Sequence, residues 1–216
     1  MNNIIPVITI DGPSGVGKTT ISKIIANKLK WSILESGKIY RLLAYLIVSK
    51  NITILEDNII PLMKHLDILL KKNLRHNNEF IKSEKISNIA SQLASFPKIR
   101  KILLKKQRVF RVYPGLVAEG RDMGSMVFPD AIIKFFLDAN LRVRVNRRML
   151  ELKKNNCYIN FKKLSVQMNY RDKCDRNRLF SPLCVPKNAI ILDSTNMSLS
   201  QLISIFMEHI IKIVKI

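Results

Sequence analysis

PVITIDGPSGVGKTTI, residues Pro6 to Ile21, decides the fold. It opens with the alternating, β-branched run Val7-Ile8-Thr9-Ile10, passes through a glycine-rich turn, and enters a helical pattern at Thr19. That order is strand, phosphate loop, helix. Gly12-Pro13-Ser14-Gly15-Val16-Gly17-Lys18-Thr19 fits GxxxxGK[ST], and chemistry accounts for each fixed position. Glycines accept positive φ and place no Cβ between backbone N–H groups and an anion. The following helix adds its unpaired N–H groups and the positive end of its dipole. Lys18 reaches β- and γ-phosphates, and the Thr19 hydroxyl stands where a magnesium ligand is needed. The stretch from Gly12 to Thr20 is therefore expected to bind a nucleoside triphosphate; a surface turn that merely carries Gly and Lys would lack the flanking strand and helix.

Length and composition bound the rest. A chain of 216 residues with 47% hydrophobic content can bury one sizeable core, so residues 1–216 are read as a single domain. The net charge of +21, from 37 basic against 16 acidic residues, raises the question of nucleic acid. The lysines, however, are spread evenly among many Ile and Asn, and no RNA-binding signature or aromatic-basic interleaving accompanies them. Nucleic acid is thus not the expected partner, and small polyanionic substrates explain part of the charge. Cys157, Cys174 and Cys184 have no CxxC spacing and His65, His76 and His209 are isolated, which argues against a zinc site or a disulfide frame. No apolar run approaches the roughly 18 residues that span a bilayer, and the N-terminal segment has no signal-peptide pattern. A soluble, cytoplasmic protein without a membrane partner is expected.

Further along, helical spacing of Ile21, Ile24, Ile25 and Leu29 gives a first helix, Trp31 to Leu34 reads as a strand, and a second helix starts near Ser36-Gly37 as cap residues. Arg41 then lies near the start of that helix, against the dipole preference, and an incoming anion would resolve the conflict. Between residues 52 and 86, Asp67 to Leu70 and Glu79 to Ile81 read as short strands around a polar loop. Two helices follow, Ile86 to Leu93 and Pro97 to Phe110, broken at Ser95-Phe96-Pro97. Gly115 to Glu119 and Ala131 to Leu137 read as buried strands, and Ala189 to Leu192 as a fifth strand. Leu141 to Lys154, Asn160 to Tyr170 and Ser198 to Val214 read as helices, the last with Leu202, Ile205, Phe206, Ile210 and Ile213 inward. By spacing alone Ser91 and Arg100 face solvent, Arg142 and Arg144 belong to a solvated face, and Arg171 to Arg178 form a charged turn. Strands alternating with helices give an α/β sandwich.

VITIDGPSGVGKTT, ESGKIYR, SQLASFPKIR, LVAEGRDMGSMVFPDA, FLDA and RDKCDRNR, in this order, resemble the bacterial cytidylate kinase family of nucleoside monophosphate kinases, from about Pro6 to Ser198. The resemblance implies a P-loop three-layer sandwich with a five-stranded parallel sheet of order 2-3-1-4-5. It also implies a monophosphate-binding region over about 36–100, its insert shortened here, and a helical lid over about 150–182. The implied activity is transfer of the γ-phosphoryl of ATP to CMP or dCMP with Mg2+, by a monomer. The implied roles are phosphate contacts by Lys18, Arg41, Arg121, Arg171 and Arg178, and acceptor binding that adds Ser36, Tyr40, Ser91, Arg100, Asp122 and Asp175. Among these, Ser91, Arg100 and Asp122 would read cytosine, which offers acceptors at O2 and N3 and a donor at N4. Asp175 would accept from the ribose hydroxyls, and Arg147 or Arg148 would stand at the base of the lid near the ATP phosphates. The chain departs from the family at Thr19 within Gly17-Lys18-Thr19-Thr20, where GKGT is usual, at Cys174, where arginine is common, and at Glu35, where aspartate is usual. The rival readings are a UMP-accepting or shikimate-type kinase of the same architecture, and a basic nucleotide-binding protein with RNA as partner.

Overall fold

In the computed structural model, which describes residues 4–73, 81, 83–154 and 157–214, all five residues of β1 (Val7–Asp11) are buried. Burial on both faces demands a central strand, and β1 pairs in parallel with β3 (Leu116–Gly120) on one side and β4 (Ile133–Asp138) on the other. The edges are β2 (Ser32–Glu35) beside β3 and β5 (Ile190–Asp193) beside β4, giving the order β2-β3-β1-β4-β5, all parallel. Side chains of β1 alternate between the faces. Val7 packs into a cluster with residues of α2 (Ser36–Ser49), α4 (Met63–Asn73), α5 (Glu84–Leu93) and α6 (Pro97–Arg108). Ile8 and Ile10 pack instead with Ile21 and Ile25 of α1 (Lys18–Leu29) and Leu202, Phe206 and Ile210 of α9 (Leu199–Ile213). Helices on both faces of a parallel sheet make the expected three layers. α3 (Glu56–Ile59) and a single 3-10 turn, Ile60–Leu62, bridge α2 to α4.

α7 (Leu141–Lys154) and α8 (Phe161–Arg176) form a hairpin with a small core of their own, Val145 and Leu152 against Leu164 and Met168. Local chemistry sets several element ends. The Ser198 side chain and Gln201 form a reciprocal capping box at α9, and Asn160 caps α8 by accepting from the Lys162 N–H at 2.8 Å. Gly115 lies against the Trp31 ring, where an added Cβ would sit 2.3 Å from a ring carbon; the β2–β3 edge closes over that contact.

Several expectations are corrected. Asp67 to Leu70 is helical, inside α4, because Leu62, Met63 and Leu66 continue one buried face at helical spacing. Of the second expected strand, Glu79 and Phe80 lie outside the described residues. Arg171 to Arg176 is no turn: α8 runs through it to Arg176. Arg144 is buried, at 7% exposure, since Asp172 pairs with it. The cap residue of α2 is Glu35, with Ser36 and Gly37 already helical. Ile213, expected inward on α9, is exposed. Among the described residues no helix is long and apolar enough to cross a membrane.

Candidate active site

The carboxyl ends of all five strands carry an acid: Asp11, Glu35, Glu119, Asp138 and Asp193. Beyond that end of an open parallel sheet a ligand has room to lie, and a cleft of about 1060 Å³ opens there. Ser14 to Thr20 form one wall. Gly12 and Pro13 lie behind it, where φ of 148° and a carbonyl of Leu137 2.0 Å from any Cβ leave position 12 to glycine. Gly15 and Gly17 also have positive φ, 78° and 102°, and the Ile21 N–H bonds the Gly17 carbonyl as α1 begins.

Lys18 is buried and its Nζ donates to the Pro13 carbonyl at 2.7 Å. Burial, and next the neighbouring Arg121, pull its pKa down to about 7, against Glu119 and Asp11, which raise it. The Thr19 hydroxyl donates to Glu119 Oε1 at 3.1 Å, so a carboxylate at the end of β3 stands beside the hydroxyl of the phosphate loop. Asp11 accepts from the Met123 and Gly124 N–H groups at 2.8 and 2.7 Å. It thereby ties the segment after β3, which carries Arg121 and Asp122, to the strand that carries the phosphate loop. Burial pushes the Asp11 carboxyl up to about 7, although those two N–H bonds favour its charged form. Gly124 permits the approach, a Cβ there falling 2.7 Å from Thr9 Oγ1.

A second cluster lies across the cleft. Arg100 of α6 pairs with Asp122, both nearly fully buried, and its Nη1 donates to the Ala94 carbonyl at 3.3 Å. Its guanidinium stands 5.6 Å from the centroid of the Tyr40 ring, within cation–π range. Burial raises the Tyr40 hydroxyl to about 12. Ser91 lines the same wall. Ser36 also lines it but is turned toward α6, its hydroxyl accepting from Gln107 Nε2 at 2.8 Å. Arg41 is drawn back over Gly37 of its own helix, 3.1 Å from where a Cβ would be, and its Nε has no hydrogen-bond partner among the described residues. Burial lowers its pKa.

The α7–α8 hairpin closes the third side. Arg121 Nε donates to Asp175 at 2.9 Å and Nη2 to the Ser14 hydroxyl at 3.2 Å. Arg178 lies 3.6 Å from the other oxygen of Asp175. Asp175, expected at a ribose, is thus shared between two arginines. Arg171 and Arg148 converge on Glu84 of α5, at 3.1 and 2.6 Å. Arg147 lines the cleft and anchors on Ser194, donating to its carbonyl at 2.6 Å and its hydroxyl at 2.9 Å, and to the Val16 carbonyl of the phosphate loop at 3.4 Å. Cys174 is a part-buried free thiol on α8. The structure therefore brings every proposed phosphate and acceptor residue to one cleft. Glu119 joins them in the cleft lining, while Asp11, Glu84 and Arg144 hold cleft residues from behind or beside it; of these, only the two acids at strand ends carried a usable signal in the sequence, their position at the carboxyl edge of a parallel sheet.

A model of the cytidylate kinase family matches residues 8–214. The chain belongs to the cytidylate kinase family. It is 47% identical to a cytidylate kinase of Buchnera aphidicola subsp. Baizongia pistaciae over 228 aligned residues, covering 99% of this chain and 97% of that one. It is 44% identical to a cytidylate kinase of Salmonella paratyphi B, covering 97% and 96%. A solved structure of an uncharacterised protein from Eubacterium ventriosum shares the fold alone, with 13% identity, a TM-score of 0.52 and coverage of 95% and 98%. Within the cytidylate kinase family's EGRDMG segment, Glu119, Arg121 and Asp122 face three different parts of the cleft: Thr19, Asp175 and Arg100 respectively.

Proposed function

We propose that the chain transfers the γ-phosphoryl of ATP to CMP or dCMP, giving ADP and CDP or dCDP. The observation that carries this reading is the Arg100–Asp122 cluster over Tyr40, which shares one cleft with the phosphate loop. A cation and a carboxylate side by side suit a base that accepts at O2 and N3 and donates at N4. Uracil, with an acceptor at O4, would meet the Asp122 carboxylate unfavourably.

On this reading no general base is required, because a nucleoside monophosphate loses its second phosphate proton near pH ~6 and presents an ionised oxygen at neutral pH. The chain has to hold two anionic groups in line, neutralise them and exclude water. Backbone N–H groups between Ser14 and Thr20 and the start of α1 cradle the donor. Lys18 leaves the Pro13 carbonyl for the β- and γ-phosphates, whose charge favours its ammonium form. Arg121, at the junction of the two walls, faces the transferred group, while Arg41, Arg171 and Arg178 hold phosphate oxygens of the acceptor and donor. The Thr19 hydroxyl and Glu119 carboxylate, 3.1 Å apart, are hard oxygen donors that fit Mg2+ held jointly with phosphates and water. When bound, the ion supplies neutralisation of the phosphate oxygens. The same reading takes the chain as a cytoplasmic monomer over residues 1–216 working on small molecules, with a monophosphate-binding region about 36–100 and a helical lid over about 150–182, which takes in α8 and the end of α7.

The test is ADP production from Mg·ATP with CMP, dCMP, UMP, AMP and shikimate offered separately. Turnover confined to CMP and dCMP is expected. Equal turnover with UMP would remove the base-reading role of Asp122, and turnover with shikimate alone would overturn the reading.

A further inference from the structure

The phosphate loop is gripped from the side opposite the cleft. Arg144 Nη1 donates to the Ser14 carbonyl at 3.1 Å, and Nε donates to the Ala139 carbonyl at 2.9 Å. Nη1 also lies 2.5 Å from Asp172 Oδ2 on α8. Both side chains are buried, and neither lines the cleft. Gly15 packs directly on α7, where a Cβ would lie 2.8 Å from the Arg144 carbonyl oxygen and 3.2 Å from its Cβ. In a planar trans peptide the C=O and the following N–H point in opposite directions. Holding the Ser14 carbonyl outward therefore turns the Gly15 N–H into the loop, where backbone donors meet phosphate.

A second arm reaches the same residue. The Ser14 hydroxyl accepts from Arg121, which Asp175 holds. Asp172 and Asp175 are three apart and share a face of α8. One helix thus controls Ser14 twice, through its carbonyl by way of Asp172 and Arg144 and through its hydroxyl by way of Asp175 and Arg121. Phosphates entering the cleft compete for the Arg121 arm. The Arg144 arm is sealed behind the loop and stays.

We propose that Arg144, held by Asp172, is a positioning residue for the nucleotide: it fixes the Ser14–Gly15 peptide in the phosphate-accepting orientation and makes that orientation depend on the placement of α8. The inference rests on the proposed function only in taking a nucleoside triphosphate as the ligand of this loop. Its experiment is a titration of the full chain with Mg2+ and a fluorescent ATP analogue without any acceptor, followed by steady-state kinetics with ATP and CMP. Arg144→Met alone leaves Asp172 buried and unpaired, so the main variant is Arg144→Met with Asp172→Leu, which removes both charges at similar volume. It is expected to unfold cooperatively near the wild-type temperature, with nucleotide Kd raised about tenfold or more and the KM for CMP within about twofold. A wild-type nucleotide Kd in that variant, or an equal rise in the CMP KM, overturns the proposal. Should the double variant fail to fold, Arg144→Lys carries the test, since it keeps a cation beside Asp172 but loses the forked donation. A Kd about threefold higher or more supports the brace, and an unchanged Kd overturns it. Absence of CMP-dependent turnover in wild-type protein would count against the proposed function, while the titration still reads Arg144.

Discussion

Glu84 on α5 and Arg171 on α8 meet across the cleft, Oε2 lying 3.1 Å from Nη2. The same carboxylate takes two donations from Arg148, at 2.8 and 2.6 Å. On the proposed function that carboxylate stands where phosphate oxygens would meet Arg171, and it links α5 to the α7–α8 hairpin.

Glu84→Gln removes that competition. The KM for CMP is expected to fall about three- to tenfold, while the unfolding free energy drops by about 3 kcal/mol because two part-buried cations lose a partner. Steady-state kinetics and urea denaturation read the two effects. An unchanged or higher KM would show that Glu84 does not compete with the acceptor.

Arg121→Ala removes the cation at the junction of the two walls. By analogy with the loss of one donor to developing charge, kcat should fall about 10²- to 10³-fold. Circular dichroism should remain that of the folded chain, because β3 and the Asp11 tether do not depend on this side chain. A kcat within about threefold of wild type would take Arg121 out of the mechanism.

Asp122→Asn swaps an acceptor-only group for one that also donates. The kcat/KM for CMP should fall about 10- to 100-fold, and the preference for CMP over UMP should shrink by a similar factor, as each base contact is worth about 1–3 kcal/mol. Parallel assays with the two monophosphates measure it. A preserved CMP/UMP ratio would place base selection elsewhere.

pH acts on the phosphate loop through two buried groups of opposite sign. Lys18, at about 7, sits below its ordinary 10.5. The unfolded chain therefore binds the extra proton between these values, and stability contributed by this group rises with pH across that window. Asp11, raised from 3.8 to about 7, contributes stability that is lost as pH rises from about 4 to 7. Triphosphate oxygens favour the Lys18 ammonium, so ATP binding at pH 8 should take up close to one proton, and at pH 6 almost none from Lys18. Calorimetry in buffers of different ionisation enthalpy reads this. No uptake at pH 8 would mean that Lys18 is already charged in the free protein.

The parts of this molecule that were legible in the sequence are those governed by neighbours along the chain. Val7 to Ile10, the glycines and Lys18 sit in one short stretch, and their order alone specifies strand, loop and helix. α7 has the bounds its periodicity predicts, Leu141–Lys154. A stretch as short as Asp67 to Leu70, with three apolar residues, fits either period, and its helical register became visible only with Leu62, Met63 and Leu66 beside it. Arg144 looked solvated because nothing local announces a partner; its acid lies 28 positions away on another helix. The same holds for Glu84 with Arg171, and for Asp175 shared between Arg121 and Arg178. Long-range ion pairs leave no mark on periodicity, and side chains that read as independent phosphate or ribose contacts turn out to be each other's counter-ions.

The sharing of Asp175 between Arg121 and Arg178 also bears on how fast the cycle can run. An arginine that held product phosphates with no other partner would part from them into water, with its full attraction opposing departure. Here a carboxylate 2.9 Å from Arg121 and 3.6 Å from Arg178 can recapture each cation as the product loosens. On the proposed function, this lowers the barrier to product escape, a step that limits many enzymes. On that reading, affinity for the nucleotide is traded for faster release, with Asp175 drawing the two cations back as the product leaves.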